Sequence, residues 1–258
     1  MKHIPRKRFG QHFLSDHGII DAIVQAIAPQ PGEPMVEIGP GLAALTQPLV
    51  ERLGRLTVIE LDRDLALRLR LHGQLDVIES DVLKVDFSAL AARLGAGKLR
   101  VVGNLPYNIS VPVLLHFMNQ FPSIRKGLVM VQAEVAHRLA AAPNSKEYGV
   151  PSLKMAWYGP ARLAGNIGRN IFWPVPGVDS ALVYFQRTIE RDPALQQPTF
   201  TAIDQAFLQR RKTLRQALAG WAGSAAAAEE ILVRAGVDPQ ARGEQLNIDQ
   251  FIAIASAK

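Results

Sequence analysis

The hydrophobic pattern of the first half of the chain alternates between two periods. Ile19, Ile20, Ile23, Val24 and Ile27 recur at helical spacing behind Asp16, a residue able to cap a helix N-terminus. Pro29 and Pro31-Gly32 end that helix. Pro34-Met35-Val36-Glu37-Ile38-Gly39 then reads as a short buried strand running into a glycine-containing turn. Leu42, Leu45, Leu49, Val50 and Leu53 define one side of a second helix, stopped at Gly54, and 56–61 is the next strand. The alternation continues through a helix at 64–71, a strand at 75–81, a helix at 88–94, a strand at 99–104, a helix at 112–119 and a strand at 127–132. Strands and helices at this pitch predict βαβ units around a largely parallel sheet. Ligands of such sheets lie outside the carboxyl ends of the strands, which directs attention to the residues just after each one.

Beyond about residue 180 the pattern changes. A strand at 180–185 is followed by helices at 199–221, 225–235 and 248–257, with no strand between them. The Pro-containing, charged segment 187–198 is the expected boundary, giving a sheet domain with a basic N-terminal arm at 1–187 and a smaller all-helical domain at 188–258.

Composition narrows the chemistry. The 258 residues include no cysteine, which excludes disulfides, thiolate zinc and a Cys nucleophile, and with the last the usual route to methylation at a pyrimidine ring carbon. No cluster has metal-ligand spacing, so no metal is expected. A formal net charge of +6 points to a polyanionic partner, nucleic acid being the commonest. No apolar run reaches the length of a membrane span, and the basic start Met1-Lys2-His3-Ile4-Pro5-Arg6-Lys7-Arg8 lacks the apolar stretch of a signal peptide; a cytoplasmic, monomeric protein without a membrane partner is expected.

The turn Glu37-Ile38-Gly39-Pro40-Gly41-Leu42-Ala43 fails as a dinucleotide fingerprint, because the third glycine would fall at Ala44. Pro40 also removes an N–H that a pyrophosphate would use. A ligand without phosphate, such as S-adenosylmethionine, fits better. Glu60, at the end of the next strand, could accept from ribose hydroxyls, and Asp81, ending the third, from the amino group of an adenine ring. Asn104-Leu105-Pro106-Tyr107 follows the fourth strand on the same sheet edge. An amino group on an aromatic ring is a poor nucleophile because its lone pair is delocalised. Hydrogen bonds accepted from both N–H groups, by the Asn104 side chain and the Leu105 carbonyl, favour a pyramidal nitrogen with its lone pair free. Pro106 biases Leu105 to an extended conformation, and Tyr107 offers a flat face to an unpaired base.

These residues carry a resemblance. Arg8-Phe9-Gly10-Gln11-His12-Phe13-Leu14, Glu37-Ile38-Gly39-Pro40-Gly41, Asn104-Leu105-Pro106-Tyr107, Phe172-Trp173-Pro174-Val175-Pro176-Gly177-Val178-Asp179-Ser180 and Gln209-Arg210-Arg211-Lys212-Thr213-Leu214-Arg215 occur in order along nearly the whole chain. Together they resemble the ribosomal RNA adenine N6,N6-dimethyltransferase family, in particular its branch acting on two adjacent adenosines near the 3′ end of small-subunit (16S) ribosomal RNA. The resemblance implies a Rossmann-like S-adenosylmethionine-dependent methyltransferase sheet with a helical C-terminal domain. It implies that His12, Leu14, Gly39, Gly41, Glu60, Asp81 and Asn104 contact the cofactor. Asn104, Leu105 and Tyr107 would handle the target base, and Phe172 would stack on it from the other side. Position 12 is often Asn in the family, and Ala43 stands where many methyltransferases have a third glycine. Large-subunit RNA methylation and a non-catalytic assembly factor are the alternatives.

For RNA contact the candidates are Arg6, Lys7 and Arg8, beside Lys2 in an arm without acids, and Arg210, Arg211, Lys212 and Arg215 on a helix with Phe207, Leu208, Leu214 and Leu218 as its buried residues. Adjacent basic residues splay over a helix surface, which suits phosphate contacts more than base reading. His116, His137, Trp157 and Trp221 read as structural.

Overall fold

The computed structural model describes residues 3–258; Lys2 of the basic arm lies outside the described residues. Nine strands occur among them: β1 Phe13–Leu14, β2 Met35–Ile38, β3 Leu56–Glu60, β4 Leu75–Glu79, β5 Leu99–Asn104, β6 Ile124–Gln132, β7 Ala161–Ile167, β8 Phe172–Trp173 and β9 Ser180–Gln186. Seven form one sheet in the order β4-β3-β2-β5-β6-β9-β7, while β1 and β8 pair antiparallel by themselves. Strands β2 to β6 run parallel and β9 is antiparallel to β6. Since β2 adjoins β3 on one side and β5 on the other, the strand order reverses between β2 and β5, and a crevice opens at their carboxyl ends.

The helix His17–Ile27 forms as its spacing predicts. Asp16 accepts from the Ile19 N–H, and Ile20, Ile23, Val24 and Ile27 are buried. Each such aliphatic side chain contributes roughly 1.5–3 kcal/mol by leaving water. The second helix is shorter than its apolar pattern suggests. It spans Thr46–Leu53, and the preceding residues form a turn in which Leu42 is half exposed.

By contacts the chain divides into two units, one of residues up to Ala136 with Arg162–Arg187, the other of His137–Ala161 with Thr188–Lys258. The first holds the sheet. In the second, the helix Val150–Ala156, which the sequence pattern left unassigned within the sheet domain, packs with the C-terminal helices. The Tyr148 hydroxyl donates to the Leu246 carbonyl at 2.7 Å, and the Asn144 N–H donates to the Glu244 carbonyl at 2.9 Å. The single helix predicted at 199–221 is three: Gln196–Leu208, Leu214–Ala217 and Ala219–Ala222. The break has a long-range cause, because the N–H groups of Leu214 and Arg215 donate to the carbonyls of Ala241 and Pro239 at 2.7 and 3.1 Å.

Candidate functional site

Two glycines let the backbones of β2 and β5 approach closely at the edge of the crevice. Gly39 follows β2 with φ of 65°, and a Cβ on it would lie 2.8 Å from the Asn104 carbonyl oxygen. Gly103, within β5 at φ of 130°, lies so close to the Ile38 backbone that a side chain would collide with it. In the turn after β2, Gly39 and Gly41 are followed by Ala43, also in the left-handed region at φ of 69°. Ala43 thus adopts the conformation for which a glycine is favoured.

One cavity runs along this edge. Its walls include His12, Phe13 and Leu14 from the N-terminal segment, Glu37, Gly39 and Gly41 from the β2 turn, Glu60 and Leu61 after β3, Asp81 after β4, and Asn104 to Pro106 after β5. All the cofactor candidates named from the sequence meet there. Tyr107 does not line the cavity but stands next to it, its ring stacked on His12 at 5.8 Å between centroids and its hydroxyl bonded to Ser180. Burial raises the Tyr107 pKa, only partly offset by the Ser180 hydrogen bond, so the phenol stays protonated.

The carboxylates are already engaged on one side. Glu60 is 6% exposed and accepts from the N–H groups of Gly41 and Asp62 at 3.2 and 2.9 Å. Burial raises its pKa, and those backbone donors work against the rise. Asp81 accepts through Oδ1 from the Leu83 N–H at 3.0 Å. Glu37 is fully buried, accepts from the Thr46 hydroxyl at 2.7 Å, and is pushed up to about 8, chiefly by desolvation. The sequence reading gave Glu37 no role, since a carboxylate inside a buried strand shows no partner until Thr46 is folded against it.

Asn104 is the most informative member. Its Nδ2 donates to the His12 carbonyl at 3.4 Å, and its Oδ1 is buried without a hydrogen-bond partner. Such an orphan is costly unless a ligand donor completes it. This fits a group presenting N–H donors at the end of β5.

The N-terminal wall is held by a network the sequence did not reveal. Gln11 accepts from His3 and from the Arg6 N–H and donates to Asp62 Oδ2 at 2.8 Å, while Arg6 pairs with Asp62 and Asp64. Burial disfavours the Asp62 carboxylate, but donation from Gln11, the Asp64 N–H and Arg6 outweighs it and holds the pKa below the ordinary value. The arm has no acids of its own, and its charge is met from residues some fifty positions away. Arg6 is therefore engaged in holding that segment in place. Lys7 and Arg8 are exposed, with the Arg8 guanidinium 4.6 Å from the Phe9 ring centroid.

Two further expectations need correction. Phe172 is 2% exposed and packs in the core with Ile20, Val24 and Leu182, so its ring is not offered to a base. The exposed ring is its neighbour Trp173, because successive residues of a strand face opposite sides. The segment carrying Arg210, Arg211 and Lys212 is a turn, not a helix face, and Leu208 is exposed. Arg210 is held by Glu244 and the Lys146 carbonyl, and Arg215 by Glu229. Arg211 and Lys212 are exposed.

A switch-point crevice with a phosphate-free glycine turn, strand-end carboxylates and an asparagine closing β5 defines a methyltransferase-type α/β domain. The chain matches the family model described as ribosomal RNA adenine dimethylase over residues 2–258 and belongs to that family. It is 56% identical over 257 residues to the ribosomal RNA small subunit methyltransferase A of Acidovorax ebreus, with 99% of this chain and 98% of the relative covered. Among solved structures it is similar to a dimethyladenosine transferase from Plasmodium falciparum, with a TM-score of 0.77, 20% identity and 94% and 96% of the two chains covered. It is also similar to the 23S rRNA methyltransferase ErmE, with a TM-score of 0.68, 23% identity and 95% and 98% covered. At these identities the two structures establish the fold alone. That fold and family imply use of S-adenosylmethionine.

Proposed function

We propose that this protein transfers methyl groups from S-adenosylmethionine to N6 of two adjacent adenosines near the 3′ end of 16S ribosomal RNA, giving N6,N6-dimethyladenosine. The observation that carries the reading is the buried, unpartnered Asn104 Oδ1 at the carboxyl end of β5. The small-subunit substrate is supported by the name of the 56%-identical relative, since the fold is shared with a large-subunit enzyme.

When bound, the cofactor supplies an electrophilic sulfonium methyl group. Glu60 would accept from its ribose hydroxyls and Asp81 from its adenine amino group, while Gly39 lets the backbone approach its methionine end and Gly41, His12 and Leu14 complete the wall. In the first transfer Asn104 Oδ1 and the Leu105 carbonyl accept from the two hydrogens of the target amino group and draw its nitrogen toward a pyramidal geometry; in the second, one acceptor engages the single hydrogen left. Tyr107, its hydroxyl tied to Ser180, supplies an aromatic face. The chain needs no strong general base, because the product aryl ammonium loses its proton readily to water. Rate enhancement comes from positioning and electrostatics. Arg211, Lys212, Lys7 and Arg8 are exposed and can meet RNA phosphates.

The test is transfer of labelled methyl groups to small ribosomal subunits that lack the modification, with nucleosides analysed by mass spectrometry and Asn104→Ala run beside the wild type. Dimethyladenosine from the wild type alone supports the reading. Labelling of large-subunit RNA instead would overturn the substrate, and RNA binding without any transfer would leave an assembly factor.

A further inference from the structure

We propose that Trp173 is a stacking platform for an unpaired nucleobase adjacent to the target adenine, an inference that rests on the RNA-methylating reading above. Trp173 is 48% exposed, in a segment where Val175 and Val178 are also about half exposed. A large aromatic ring left in water next to a catalytic cavity is a candidate contact for the face of a base, since base–aromatic stacking is a main source of affinity for single-stranded RNA.

The surroundings fix its place. In the β1–β8 pair Trp173 stands opposite Phe13, and the two rings stack at 6.5 Å with an interplanar angle of 26°. Phe13 lines the cavity and Trp173 does not, so the indole stands outside the pocket with Phe13 supporting it. Its backbone neighbour Pro174 accepts from His12 Nδ1 at 2.7 Å, and the carbonyl of the same His12 accepts from Asn104. Trp173 is thus tied through Pro174 and His12 to the group that faces the target amine. Because the ring lies outside the cavity, it is assigned to a flanking base and not to the target itself. Arg169, exposed, donates to the Gly177 carbonyl at 3.2 Å and brings a cation to the same loop; Asp179 in that loop is occupied by the Arg169 N–H at 3.0 Å. A base with a phosphate on either side suits this combination of ring and guanidinium.

The test uses the full-length Trp173→Ala and Trp173→Phe variants. With undermethylated small subunits, Trp173→Ala is expected to raise the KM for RNA about tenfold. Its kcat at saturating RNA and its cofactor Kd by calorimetry should stay within about twofold, while Trp173→Phe should keep KM within about threefold of wild type. Titration with a short single-stranded RNA containing two adjacent adenosines should quench tryptophan emission in the wild type and not in Trp173→Phe, which retains Trp157 and Trp221. An unchanged KM in Trp173→Ala, or the same quench in Trp173→Phe, overturns the assignment. So does a cofactor Kd that rises with the KM, which would make the ring a prop for Phe13. If the wild type labels no small-subunit RNA, the proposed function fails, while the quench with the oligonucleotide still decides the role of Trp173.

Discussion

Asn104 donates its side-chain N–H to the carbonyl of His12, ninety-two residues earlier in the chain, and by doing so leaves its oxygen buried and unpaired. The N-terminal segment therefore sets the orientation of the amide that faces the substrate. Replacing Asn104 with Ala removes the acceptor, and kcat should fall about 10²–10³-fold, the usual loss for one preorganised polar group in an active site. Asn104→Asp keeps an acceptor but sets a carboxylate against the His12 carbonyl, and a loss nearer tenfold is expected. Single-turnover methyl transfer measures both; equal rates for the two variants would remove the acceptor role.

Tyr107 and Ser180 join the β5 turn to the start of β9 through their hydroxyls. Ser180 is fully buried, so truncating either partner strands the other. Tyr107→Phe and Ser180→Ala should each cost about 1–2 kcal/mol in urea unfolding, and the double variant about 1 kcal/mol less than their sum. Additive losses would show that the pair does not interact.

Glu37 makes stability depend on pH with a definite sign. Its folded pKa, about 8, lies above the ordinary 4.5, so between these values the folded state holds a proton that the unfolded chain has released. Its contribution is complete below 4.5 and is lost as pH rises toward 8, at about 1.4 kcal/mol per pH unit. Glu37→Gln mimics the protonated form at all pH values. The difference in unfolding free energy between wild type and Glu37→Gln should therefore grow with pH across this window; a constant difference would contradict a buried neutral carboxyl.

Ala43 occupies a left-handed conformation that costs an L-residue about 1–2 kcal/mol. Glycine relieves that strain but adds roughly 0.5–1 kcal/mol of unfolded-state entropy. Ala43→Gly should thus stabilise the protein by about 0.5–1 kcal/mol, seen as a higher urea midpoint with an unchanged slope. A destabilised variant would mean that the Ala43 methyl packs better than its backbone geometry indicates.

Much of the sheet unit was legible in the sequence because its signals are local. Most of the parallel strands carry a short apolar run, and the helices between them repeat at their own period. Gly39, Glu60, Asp81 and Asn104 could be placed together because a parallel sheet delivers the ends of successive strands to one edge. Strands β1, β7 and β8 were not legible. Two of them are two residues long, and β7 is an edge strand with a glycine and a mixed exposure pattern.

By itself the sequence determined the alternating architecture, the absence of thiol chemistry and the identity of the strand-end groups, since these depend on spacing and residue type alone. Only the tertiary structure decided which cations are free, which ring faces outward and which amide oxygen is left unpaired. Arg6 looked like an RNA contact until Asp62 and Asp64 were folded against it, and Phe172 looked like a stacking ring until strand alternation turned it into the core. Such outcomes depend on partners dozens of residues away. A hydrogen bond or a buried face exists only once the chain has brought both sides together.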